Sequence, residues 1–82
     1  MLKPVQCKMA RVALGWGVRD LANAAGISAN TISRFETGKS DGYAATLDAL
    51  QRALEAAGVE FIAENGGGPG VRLAKDHGSP AA

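Results

Sequence analysis

Two eight-residue segments separated by a tight turn constrain this chain more than anything else in it. In VRDLANAA, Val18, Leu21, Ala22 and Ala25 fall at i, i+3, i+4 and i+7, one face of a helix. ANTISRFE sets Ile32 and Phe35 on one side and Asn30, Ser33 and Arg34 on the other. Gly26 follows the first segment as a residue able to take φ > 0, which ends a helix. Ser28 precedes the second as an N-cap. Ala22 is small where the two helices must approach closely. Two helices this short cannot bury their apolar faces on each other alone, so the flanking chain must supply the rest of a core.

That chain is helical on both sides. Pro4 suits the first turn of a helix running to Leu14, with Cys7, Ala10 or Arg11, and Leu14 on one side. Gly15 and Gly17 interrupt it around Trp16. Residues Lys39 to Tyr43 read as a loop. A fourth helix, Ala44 to Ala57, carries Leu47, Leu50, Leu54 and Ala57, and Gly58 closes it. The pattern then changes: VEFIA (Val59 to Ala63) and VRLA (Val71 to Ala74) are β-prone around the turn ENGGGPG, which predicts a hairpin. The glycines and proline there mark a plain turn rather than an anion site. The final KDHGSPAA (75–82) is expected to be disordered. Trp16 and Tyr43 are expected at the edge of the core, with Tyr43 placed to reach a phosphate.

Eighty-two residues, sixteen of them Ala, make one small domain with a thin, mostly helical core. One Cys excludes an internal disulfide and a Cys metal cluster, and the lone His77 adds no ligand set, so no cofactor or metal is expected. No apolar stretch is long enough for a membrane span. No charged n-region leads into an apolar h-region, so no secretion signal is expected and the expected location is the cytoplasm. No paired carboxylates, no Ser-His-acid set and no metal spacing support an enzyme. Net charge is +3 over residues 1–43 and −2 over 44–82, so a polyanion would meet the first half.

Gly38-Lys39-Ser40 looks like the end of a phosphate-binding P-loop. That motif needs a glycine at position 33, where this chain has Ser, and it opens a helix, whereas Gly38 ends one. Val18 to Gly38 instead has the helix-turn-helix spacing, whose second helix enters the major groove.

At these residues the chain resembles the Cro and phage-repressor type of helix-turn-helix regulator, the xenobiotic-response-element family. The resemblance lies in Leu21-Ala22, Ala25-Gly26-Ile27-Ser28, Thr31-Ile32-Ser33 and Phe35-Glu36-x-Gly38-Lys39, and covers about residues 5 to 58. The ending AGVEFIAENGGGPGVRL is similar to that of short alphaproteobacterial regulators of this type. With this resemblance the expected fold is mainly α: a four-helix, lambda-repressor-like DNA-binding domain over 1–58 (motif 18–38), with the C-terminal β-hairpin over 59–74 standing where the family usually has a fifth helix.

Base reading is expected from Ala29, Asn30, Ser33 and Arg34, with Thr31 at the edge. Asn pairs bidentately with adenine and Arg with guanine. Phosphate holding is expected from Arg19, Ser28, Thr37, Lys39 and Ser40, helped by main-chain N–H groups at the start of the second helix. Where family members carry a DNA-contacting Gln, this chain has Val18, so that contact is lost or passes to Arg19. The usual Ser or Thr cap is Gly17. In phage-type repressors an Arg of the first helix pairs with the Glu ending the recognition helix; here these are Arg11 and Glu36. Cys7 reads as buried filler rather than a redox sensor.

An isolated hairpin is marginal in water. It either packs on helix four through Phe61 and Val71 or pairs with a second copy, and the expected homodimer surface is Val59, Phe61, Ile62, Val71 and Leu73. Two-fold symmetry suits a palindromic operator. The leading expectation is a dimeric repressor of double-stranded DNA. The alternative is an antitoxin with a protein partner that also autoregulates its operon; the short, non-amphipathic KDHGSPAA speaks against it.

Overall fold

The computed structural model describes residues 2–40, 42–63 and 66–74. The expected disorder of 75–82 therefore lies outside the described residues, as do His77, Asp41 of the loop and Glu64-Asn65 of the hairpin turn. Four helices precede a hairpin: α1 (Pro4–Ala13), α2 (Val18–Ala25), α3 (Ala29–Glu36), α4 (Ala44–Ala56), β1 (Val59–Ile62) and β2 (Gly70–Leu73). Leu14 and Ala57, expected as the last residues of their helices, are instead the caps. The strands pair antiparallel with Val59 opposite Leu73 and Ile62 opposite Gly70. Among the described residues no helix is long and apolar enough to cross a membrane.

The core gathers one or more side chains from every helix: Cys7 and Ala10, Leu21, Ile32 and Phe35, and Leu47, Leu50 and Leu54, with Leu2 and Val59 adding to it from outside the helices. Each sits at the spacing its helix repeats, so burial follows from periodicity. Trp16 is half-buried against this core. Tyr43 is not at its edge: the side chain is 85% exposed. The residue lies just outside α4 in extended backbone, where its carbonyl accepts the Leu47 N–H (3.0 Å); Leu47 itself is buried.

The hairpin packs on its own chain. β1 lies against α4 and β2 against α1, with Phe61 and Val71 half-buried on the core. Helix α1 was not expected as a partner. The connection runs through Gln6, buried to 5% exposure. Its side-chain N–H groups donate to the carbonyls of Gly70 (3.2 Å) and Ile62 (3.4 Å), and its oxygen accepts the Lys3 N–H (3.1 Å). A polar side chain is tolerated at this depth because each of its groups is bonded. Gln6→Ala removes those partners and should destabilise the protein by about 1–2 kcal/mol. Thermal melting followed by circular dichroism should show a loss of about 4–16 °C.

Candidate nucleic-acid interface

The geometry of α2 against α3 is set by the turn. Gly26 takes φ 70°, and the N–H groups of Gly26 and Ile27 both donate to the Ala22 carbonyl (2.9 and 3.2 Å). This closes α2 with a left-handed residue that other side chains adopt at a cost. Two residues later Ser28 Oγ accepts the Thr31 N–H (3.1 Å) and lies 2.7 Å from Thr31 Oγ1, which starts α3. The reversal takes three residues, and Ile27 packs against the core within it.

Helix α3 is divided cleanly. Ile32 and Phe35 are 0% and 2% exposed, while Asn30, Ser33 and Arg34 stand in solvent at i, i+3 and i+4. Ala29 and Thr31 flank them, partly covered. The helix ends in a Schellman motif: Gly38 at φ 77°, its N–H donating to Phe35 O (3.1 Å), and the Lys39 N–H donating to Arg34 O (2.8 Å). Lys39 is left exposed at that end.

The expected phosphate ligands differ in what they have to offer. Ser40 Oγ accepts the Gly42 N–H (3.2 Å), so its own proton stays available. Thr37 Oγ1 already donates to Ser33 O (2.8 Å), so in this conformation it has only lone pairs to offer. Arg19 is exposed on α2. The start of α2 is less suited to an anion than its dipole suggests, because Asp20 Oδ2 accepts the Gly17 N–H (2.8 Å) and holds a carboxylate there. Gly17 is a weak cap in the sequence, and Asp20, an acid three residues into the helix, is the readable signal of what compensates it. Val18 is half-buried against the core and contributes no donor.

Behind α3, Arg11 grips Glu36 through two bonds, Nε to Oε2 (3.0 Å) and Nη2 to Oε1 (2.8 Å). The two side chains are 12% and 6% exposed. Arg11 Nη1 also donates to Trp16 O (3.1 Å), and the Cys7 thiol donates to Glu36 Oε2 (3.3 Å). This network fastens the end of α3 to α1 and to the turn after α1. The hydrogen bond to Glu36 raises the Arg11 pKa further above its ordinary value. Cys7 is pushed up to about 12, first by burial, then by the charge of Glu36 and the bond to it, with Arg11 opposing.

The thiolate is the reactive form, so iodoacetamide should leave Cys7 unmodified at neutral pH in the native protein and label it rapidly in denaturant. Mass spectrometry reads both. Because the folded pKa lies above the unfolded one, the stability linked to this thiol is intact below pH 9 and declines as pH rises from there toward 12.

Of the dimer residues expected, Val59 is 3% exposed and belongs to its own core, whereas Ile62 and Leu73 are 41% and 48% exposed. Glu60 and Arg72, directly opposite on the strands, form a 2.9 Å ion pair at the surface.

Residues 6–61 match a family model described as a helix-turn-helix domain. No curated protein matches the chain.

Proposed function

Given that the chain belongs to the helix-turn-helix domain family, we propose that this DNA-binding regulator is of the Cro and phage-repressor type. On this reading it recognises a specific double-stranded sequence with α3 and represses by occluding its operator. The observation that carries this is the outer face of α3, where Asn30, Ser33 and Arg34 are exposed together on a helix locked from behind by Ile32, Phe35 and Glu36. In the major groove Arg34 would read guanine and Asn30 adenine, each good bidentate contact contributing about 1–3 kcal/mol of discrimination. Ala29 and Thr31 would meet the groove edge. Arg19, Ser28, Lys39 and Ser40 would hold phosphates on either side, with Thr37 adding an accepting oxygen only.

The chain would work as a homodimer, since one recognition helix spans few base pairs. The open strand edges of the hairpin support pairing at that end of the molecule, with Leu73 exposed on the core-facing side of the hairpin and Ile62 on the opposite side. Phe61 and Val71 would contribute only their uncovered parts, and Val59 nothing directly.

The test is selection of bound duplexes from a random DNA pool at near-physiological salt, because phosphate binding alone falls steeply with salt. An enriched palindrome would support a dimeric, specific regulator, and its half-site spacing would report the dimer geometry. Weak, salt-sensitive binding without enrichment would refute base reading by α3.

A further inference from the structure

Helix α1 has a second apolar face that the core does not use. Val5 and Val12 are 53% and 60% exposed, with Met9 half-covered between them. At about 100° per residue the three lie within about 60° of one another, on the side of α1 turned away from Cys7 and Ala10. With Ala13 and Lys8 they line a shallow, almost wholly apolar surface. Apolar residues scattered singly on a surface need no explanation, but a contiguous stripe at helical spacing is the form of a docking face.

The charge beside the stripe says what fits it. Helix α1 contains no carboxylate, and among the described residues Lys8 makes no ion pair. A second copy is a poor occupant when the helices run antiparallel: the midpoint of the stripe falls at Lys8 and Met9, so that pairing brings two Lys8 ammonium groups side by side, and α1 carries no carboxylate to separate them. We propose that the outer face of α1 binds an acidic amphipathic segment of a partner protein. Its apolar side chains, one helical turn apart, cover Val5, Met9 and Val12, and its carboxylates meet Lys8. The face points away from the Cys7–Arg11 side that holds α3, so the partner leaves the recognition helix uncovered.

This goes beyond the DNA-binding reading and does not depend on it, so the test uses the free full-length protein. Isotope-labelled protein is titrated with a synthetic helical peptide of about 18 residues, long enough to hold helix in water. The peptide carries Leu at one-turn spacing flanked by Glu; a control carries Lys in place of each Glu. Resonances of Val5, Met9 and Val12 should shift with the Glu peptide and saturate at least about tenfold more tightly than with the control. High salt should narrow that gap. Val12→Glu should weaken the Glu peptide at least about tenfold and leave the melting temperature unchanged. Equal affinity for both peptides, shifts elsewhere or no binding would overturn the proposal. So would a dimer by sedimentation that Val12→Glu dissociates, which would make a second copy the occupant.

Discussion

Arg11→Met should lower the melting temperature of the DNA-free protein by at least about 12 °C. The substitution leaves Glu36, 6% exposed, facing the Cys7 thiol without its cation. Breaking a buried pair by removing one partner costs about 3–5 kcal/mol, and in a domain of this size each kcal/mol corresponds to about 4–8 °C. The Trp16 carbonyl loses its donor as well. Adding Glu36→Leu to Arg11→Met should recover much of the loss, because apolar groups then replace both charges and no carboxylate is stranded. A melting temperature unchanged in the single variant would show that Arg11 and Glu36 act as independent surface charges. The pair also joins α1 to the last turn of α3, so Arg11→Met should weaken DNA binding even at temperatures where the protein stays folded.

The double variant Asn30→Ala/Arg34→Ala should do the converse. Both side chains stand in solvent on α3, and Ala is at least as good a helix former as either, so stability should stay within about 0.5 kcal/mol of the parent. If each residue reads one base, the enriched duplex loses about 2–6 kcal/mol, roughly 30-fold to 10⁴-fold in affinity. Binding to a random duplex should change far less, because Arg19, Lys39 and Ser40 remain. Titrations of both duplexes at one salt concentration separate the two effects. An equal loss on both would assign Arg34 and Asn30 to the phosphate backbone and return base reading to Ala29, Thr31 and Ser33.

Much of the architecture was legible because it is local. α2 and α3 run over the residues expected for them, since Gly26 and Ser28 carry their start and stop signals within the turn itself. The apolar spacing of Leu47, Leu50 and Leu54 is likewise enough to orient α4. Residues whose roles depend on distant partners were harder to read. Gln6 looks like an ordinary polar residue until β2 is laid on α1 and its amide reaches Ile62 and Gly70. Tyr43 is a large aromatic residue, but it caps α4 from outside and stands in solvent, while Leu47 one turn on is buried. Val59 and Leu73 are register partners on one face of the hairpin, yet one is buried and the other half-open, a difference that strand alternation does not predict.

By itself the sequence determined the helices, their turn and the division of α3 into an inner and an outer face, because hydrophobic period and capping act over a few residues. Only the tertiary structure decided that Arg11 Nε and Nη2 meet both oxygens of Glu36, that the hairpin rests on α1 as well as α4, and that Val5, Met9 and Val12 are left uncovered. Those outcomes depend on where helices far apart in the chain cross, and crossing is settled by the packing of the whole core at once.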